Sequence, residues 1–123
     1  MVLSNKRNYP RVDLSVNEKC YFEYWKQNRK RGFFNRPTSV LTKNISGSGL
    51  MFLSRKFIKP ATIFNAEIQL PGNHKPILCQ ASVVRCEQDK GKQEFYHVSV
   101  TYINIDSDDR STIIQFCEKN LRI

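Results

Sequence analysis

The sequence predicts a mainly β protein, a small antiparallel β-barrel followed by one C-terminal α-helix. A chain of 123 residues with 40% hydrophobic residues has the length of one domain with a single core. Most of the chain reads as short strand-like segments separated by turn residues, and helical spacing occurs only near its end. Many short strands with one helix are typical of a closed or nearly closed antiparallel barrel.

The first segment of the chain, residues 1–11, is basic and shows no regular alternation of apolar and polar residues. It contains Lys6, Arg7 and Arg11. We therefore predict a flexible basic N-terminal arm over residues 1–11 and a single barrel domain over residues 12–123.

The barrel domain begins with residues 12–26, which alternate loosely between apolar and polar and contain a turn signal at residues 15–18. A basic loop that includes Phe33 and Phe34 follows at residues 26–36. Further strand-like segments, bounded by turn residues, occupy residues 39–43, 50–54, 62–70, 77–86 and 94–105. We expect these segments to pair as the antiparallel strands of the barrel.

The end of the chain carries the signals of an amphipathic helix. Acidic residues stand where the helix would begin and basic residues where it would end, and both placements complement the helix dipole. These residues are Asp106, Asp108 and Asp109 at the start, and Lys119 and Arg122 at the end. Apolar residues recur at helical spacing and should pack against the barrel: Ile113, Ile114, Cys117 and Leu121.

The composition excludes several classes of protein. The net charge of +9 favours anionic partners without identifying one. No apolar run approaches the roughly 18 to 20 residues of a membrane-spanning helix, so we predict no membrane insertion and a cytoplasmic location. The four cysteines form no CxxC pair and, with two histidines far apart, complete no metal site. Neither histidine has a nucleophile or paired carboxylates beside it, so we predict no cofactor and no enzymatic activity.

The first candidate binding motif is Arg7-Asn8-Tyr9-Pro10-Arg11, which has the form RxxxR. A guanidinium group can pair with phosphate oxygens in a planar fork, stack on a base and bind the guanine O6 and N7 atoms together. Pro10 restricts the backbone just before the second arginine. Two arginines on an arm could therefore close over an anionic ligand.

The second candidate motif is Asn44-Ile45-Ser46-Gly47-Ser48-Gly49, of the form NxSxxG, about 33 residues after Arg11. Asn44 and Ser46 are two residues apart, so on an extended segment their side chains share one face. Gly47 and Gly49 allow backbone φ values that other residues avoid and a close approach of a ligand. The motif predicts a turn with an amide and a hydroxyl that point the same way.

Together, in this order and at this separation, the two motifs resemble those of the PilZ domain, the bacterial receptor module for cyclic di-GMP. The resemblance extends from about Asn5 to Leu121 and includes the later strands around 81–85 and 96–102. It implies a six-stranded antiparallel barrel with a C-terminal helix. It also implies cyclic di-GMP contacts at Arg7, Arg11, Asn44, Ser46 and Gly49, with Lys6, Tyr9 and Gly47 as accessory residues. Asn44 stands where the family more often has Asp, which removes a charge from one guanine contact.

The resemblance implies a stand-alone receptor in which the ligand orders the N-terminal arm and changes the surface offered to an effector protein. Motility, adhesion or exopolysaccharide systems are the outputs that the family suggests. Two alternatives stay open: a small basic β-barrel that binds single-stranded nucleic acid, for which the loop at residues 26–36 would serve, and a PilZ-like adaptor that binds no ligand. The intact motif residues argue against the second alternative, and salt dependence and stoichiometry of binding would distinguish the first.

Overall fold

The computed structural model describes residues 11–14, 20–26, 38–72 and 75–120. Within these residues the strands are β1 (Arg11–Asp13), β2 (Tyr21–Lys26), β3 (Thr38–Ser46), β4 (Gly49–Ser54), β5 (Ile63–Gln69), β6 (Ile77–Gln88) and β7 (Tyr96–Ile105), and the helix is α1 (Ser107–Lys119).

The strands form one sheet in the order β1-β3-β2-β5-β6-β7-β4, and all pairings are antiparallel. A further pairing between β3 and β4 closes six strands, β2 to β7, into a barrel. β1 lies outside this ring and pairs with the C-terminal part of β3, whereas β2 pairs with its N-terminal part. The predicted six-stranded antiparallel barrel with a C-terminal helix is confirmed.

Alternation along the strands separates the core of the barrel from its outer wall. β4 alternates strictly between partly exposed and buried residues, as expected of a strand with one face on the core. Three strands, β2, β4 and β5, contribute an aromatic cluster whose ring centroids lie 4.3 to 5.7 Å apart, formed by Phe22, Tyr24, Phe52 and Phe64. Rings at these separations add to the stability gained from their burial.

The helix α1 begins at the predicted acidic residues and has Lys119 in its last turn, whereas Arg122 lies outside the described residues. The side chain of Asp106 caps the first turn by accepting a hydrogen bond from the backbone amide of Asp108 at 3.0 Å. Ile113 and Cys117 of the predicted apolar face are fully buried, whereas Ile114 is only partly buried. Phe116 is buried too, although the pattern did not include it. Leu121 lies outside the described residues.

The four cysteines are free thiols, and three of them, Cys20, Cys79 and Cys117, are buried. Burial raises the pKa of Cys20 and Cys79 to about 12, and that of Cys117 to about 11, so these thiols stay protonated at neutral pH. The described residues contain no group of three or more His, Cys, Asp or Glu placed to hold a metal ion. The same part of the chain contains no helix long and apolar enough to cross a membrane.

Two predicted boundaries are corrected by the strand pairing. Arg11 was assigned to the flexible arm but is the first residue of β1, because its backbone lies opposite Ser46 in the ladder with β3. β3 also continues past the predicted end at residue 43, so Asn44 and Ser46 both lie on a strand. The rest of the arm, residues 1–10, and most of the basic loop lie outside the described residues.

Candidate functional site

The outer wall of the barrel contains an open depression of about 360 Å³. It extends from β1 across β3, β4 and β7 to β6. Its lining residues are Arg11, Asn44, Ser46, Ser48, Gly49, Leu50, Met51, Val84, Arg85, Glu87, His97, Ser99, Val100 and Thr101. The depression therefore contains every described residue of the two sequence motifs that was predicted to bind directly.

Strand register explains how the two motifs meet. β1 pairs with β3 so that Arg11 lies opposite Ser46 and Asp13 lies opposite Asn44. Directly opposed residues of an antiparallel pair have Cβ atoms about 4.5–5.5 Å apart. The pairing thus converts a separation of about 33 residues along the chain into neighbouring positions on one wall.

The far side of the depression is formed by residues that sequence reasoning missed. The row that begins at Asn44 continues through Met51 on β4 and Ser99 on β7 to Arg85 on β6. Arg85 is exposed. Four strand spacings of about 4.8 Å place β1 and β6 about 19 Å apart along the curved wall. Arg85 carries no motif of its own, and only the strand order brings it to the same site as Arg11.

In the turn between β3 and β4, the hydroxyl of Ser46 makes hydrogen bonds with residues of the turn itself. Ser46 Oγ accepts a hydrogen bond from the Ser48 backbone amide at 3.2 Å and lies 3.0 Å from Ser48 Oγ. It also donates to the Gly49 carbonyl at 3.4 Å. Ser46 is only 6% exposed. Ser46 therefore shapes the turn in addition to any contact that it makes with a ligand.

Four consecutive carbonyl groups of this segment accept hydrogen bonds from distant parts of the chain. The acceptors are the backbone oxygens of residues 45 to 48. Their donors are Cys117 Sγ (3.4 Å to Ile45 O), Tyr102 Oη (3.2 Å to Ser46 O), Arg110 Nη1 (2.7 Å to Gly47 O), and Thr101 Oγ1 and Tyr102 N (3.1 and 3.0 Å to Ser48 O). The turn is thus held by β7 and α1 rather than by its own residues alone.

Gly49 is explained by a close approach of two strands. A Cβ atom at this position would lie 2.0 Å from the carbonyl oxygen of Val100 on β7. The expected unusual φ angle is wrong for both Gly47 and Gly49, since Gly72 is the glycine with a positive φ among the described residues. The group that approaches Gly49 closely is the backbone of β7, and the predicted close approach of a ligand stays a prediction.

A hydrogen-bonded pair borders the depression near its β6 and β7 edge. His97 Nε2 lies 2.6 Å from Asp89 Oδ1, and Asp89 Oδ2 accepts from the amides of Gly91 and Lys92. The hydrogen bond with His97, then that from the Lys92 amide, lowers the pKa of Asp89 below its ordinary value. Asp89 is therefore a carboxylate at neutral pH, and together with Glu87 it limits the positive charge on this side.

Three predicted site residues, Lys6, Arg7 and Tyr9, lie outside the described residues. The structure brings together Arg11, Asn44, Ser46 and Gly49, while Gly47 is buried in the turn beside them. Of the two motif arginines, Arg11 therefore lies on the outer wall, and the position of Arg7 stays a prediction.

Comparison with known proteins identifies similar chains. The PilZ domain family model matches residues 5–119. Among solved structures, the Bacillus subtilis inhibitor of motility MotI (DgrA) has a TM-score of 0.75 at 20% identity, with 94% of this chain and 51% of that chain covered. The K. pneumonia MrkH–cyclic di-GMP complex has a TM-score of 0.70 at 20% identity, with 94% and 51% covered. No curated protein matches in a sequence comparison.

The PilZ domain of Escherichia coli YcgR, solved with cyclic di-GMP, has a TM-score of 0.69 at 12% identity, with 94% of this chain and 92% of that chain covered. At these identities the structural likeness establishes the fold alone. This chain spans about half the length of the MotI and MrkH chains.

Proposed function

This chain belongs to the PilZ domain family, and we propose that it is a receptor for cyclic di-GMP that signals through a partner protein. The observation that carries the proposal is the register of β1 on β3, which places Arg11 beside Ser46 and Asn44 in one outward-facing depression. Solved PilZ structures named above contain cyclic di-GMP, which supports this ligand over other anions.

Each part of the depression suits a different part of the ligand. The guanidinium of Arg11 can pair with a phosphate or stack on a guanine, and the Asn44 amide can both accept from and donate to a guanine edge. Arg85 on the opposite side offers a second planar cation. Arg7, with Lys6 and Tyr9 as accessory residues, would complete the clamp from the N-terminal arm.

The proposed contacts are large enough for micromolar binding, which requires about 8 kcal/mol. Charge-assisted hydrogen bonds contribute about 1.5–3 kcal/mol each, and stacking on a base contributes about 1–3 kcal/mol. Ordering the arm costs about 1–2 kcal/mol for each backbone residue that is fixed. Because Arg11 is already placed by β1, that cost falls mainly on the residues before it.

We propose that signalling follows from this ordering of the arm. Closure of the segment at residues 1–10 over the barrel would change the surface presented to an effector protein in the bacterial cytoplasm. The domain would then act by binding rather than by catalysis. A role in motility or biofilm control is supported by the similarity to an inhibitor of motility.

Titration calorimetry with cyclic di-GMP, and with the mononucleotide GMP as a control, tests the proposal. We expect saturation at one or two ligands per chain and no measurable binding of GMP. Arg11→Ala and Arg7→Ala should each weaken binding at least tenfold, the effect of losing about 1.5–3 kcal/mol.

The matched control is Arg55→Ala, which removes the same charge from the end of β4, where Arg55 stacks over Phe95 at 4.9 Å. We expect this variant to bind within twofold of the wild type. Equal losses of affinity in the Arg11 and Arg55 variants, together with an affinity that falls steeply as the salt concentration rises, would instead favour general polyanion binding and the nucleic-acid alternative. Absence of any cyclic di-GMP binding would favour the adaptor that binds no ligand.

A further inference from the structure

One peptide group in the turn between β3 and β4 forms hydrogen bonds through both its carbonyl and its N–H. The carbonyl oxygen of the Gly47–Ser48 peptide accepts a hydrogen bond from Arg110 Nη1 at 2.7 Å, and the N–H of the same peptide donates to Ser46 Oγ at 3.2 Å. Because a trans peptide is planar, its C=O and N–H point in opposite directions. The orientation that Arg110 gives to the carbonyl therefore also sets the direction of the N–H toward Ser46.

Arg110 comes from a different part of the molecule. It lies in the first turns of α1, 63 residues away in sequence from Gly47. The Asp106 cap and the buried residues Ile113 and Cys117 fix the helix against the barrel. A side chain from this helix thus reaches the turn without lining the depression.

We propose that Arg110 is a positioning residue for the ligand site, acting through the Gly47–Ser48 peptide on the hydroxyl of Ser46. The inference rests on the proposed cyclic di-GMP function, because it concerns the same site. It implies that α1 and the outer wall are coupled. A ligand that contacts Ser46 stabilises the hydrogen bond between Arg110 and Gly47 O, and loss of that hydrogen bond weakens the binding of the ligand.

The charge of Arg110 offers a competing explanation, since any cation attracts an anionic ligand. Arg110 is not among the residues that line the depression. An effect of charge alone would shrink as salt screens it, with a Debye length of about 10 Å at 0.1 M. An effect through the peptide would persist at high salt.

The test compares Arg110→Met with Lys119→Met, which removes the same charge from the other end of the same helix. We expect cyclic di-GMP to bind about tenfold more weakly to the Arg110 variant, and equally so at low and high salt. The Lys119 variant should bind within twofold of the wild type. Combining Arg110→Met with Ser46→Ala should cost no more than Ser46→Ala alone, because both substitutions interrupt one chain of contacts.

A second measurement needs no ligand and keeps the inference testable on its own. In ¹⁵N NMR spectra, Arg110→Met should shift the Ser48 amide resonance and speed its hydrogen exchange, while Lys119→Met should leave both unchanged. Saturation with cyclic di-GMP should shift amide resonances in the first turn of α1 in the wild type.

The outcomes separate the two ideas. Wild-type protein that binds no cyclic di-GMP overturns the proposed function, and the Ser48 resonance still tests the contact. Binding by the wild type, with equal affinity in the Arg110 variant, overturns the positioning role. Should Arg110→Met fail to fold, Arg110→Gln, which also removes the charge and shortens the side chain, replaces it in the same comparison.

Discussion

Two turns of this barrel are held in contrasting ways. The turn from Asp89 to Phe95, between β6 and β7, uses neighbours in sequence: Asp89 Oδ2 accepts from the Gly91 and Lys92 amides at 3.0 and 2.7 Å, and His97 is eight residues from Asp89. The turn between β3 and β4 combines the internal contacts of Ser46 with donors 53 to 72 residues away.

The difference bears on where a ligand site can be preorganised. A turn formed by local hydrogen bonds can open and close with little effect on the rest of the molecule. A turn whose carbonyls are fixed by β7 and α1 moves only if those elements move. Preorganised groups bind with a smaller loss of conformational freedom, so the remotely held turn suits the recognition of a small ligand.

Substitution of a glycine in each turn should give the largest difference in unfolding free energy. Gly49→Ala places a Cβ 2.0 Å from Val100 O, and β4 must separate from β7. We expect a loss of about 3 kcal/mol in unfolding free energy by urea denaturation. Gly91→Ala meets only Asp89 Oδ2 at 3.5 Å and should change stability by less than about 0.5 kcal/mol. Similar losses in both variants would contradict the contrast.

The buried hydroxyl of Tyr102 should give the next largest effect. It donates to Ser46 O at 3.2 Å, and burial raises the pKa of Tyr102 well above its ordinary value, so it remains a donor at neutral pH. Tyr102→Phe leaves a buried carbonyl without this donor and should cost about 1–2 kcal/mol in thermal or urea unfolding. Tyr21→Phe, at a position 43% exposed, is the control and should be nearly neutral. A stability loss in the control alone would argue against remote anchoring.

The pairing of β1 beside the site turn can be tested with charge. Asn44→Asp would place a carboxylate directly opposite Asp13, and like charges at opposed positions cost about 0.5 kcal/mol. Adding Asp13→Asn should restore the unfolding free energy at neutral pH. If the double variant gains nothing, the two positions do not face each other in solution.

The local turn should give the smallest effect, through its pH dependence. Hydrogen bonding to His97 lowers the folded-state pKa of Asp89, so its stabilising contribution is present above the ordinary aspartate pKa. The contribution is lost as pH falls through the lowered pKa. Asp89→Asn should therefore lower the melting temperature slightly at neutral pH and leave it unchanged in strong acid. A melting-temperature difference that grows toward acid would have the wrong sign.

The sequence predicted much of this architecture because the signals concerned are local. Acidic residues at the start of α1 and apolar residues at helical spacing identified the helix, and Asp106 forms the cap. Alternation and turn residues located the five segments that form β3 to β7 to within a few residues. Near the N-terminus, the segment expected at residues 12–26 contains β1 and β2, and the turn signal at residues 15–18 falls between them, outside the described residues.

The motif residues Arg11, Asn44, Ser46 and Gly49 could be read from their types and spacing, and the structure brings them to one wall. Arg85, Thr101 and Arg110 could not be found in this way, because their relation to the site depends on strand order and helix placement. Gly49 illustrates the same limit: its identity suggested an unusual φ, whereas the approach of β7 is what excludes a side chain. Residue type and periodicity act over a few residues, while contacts across 53 to 72 residues exist only once the barrel has closed.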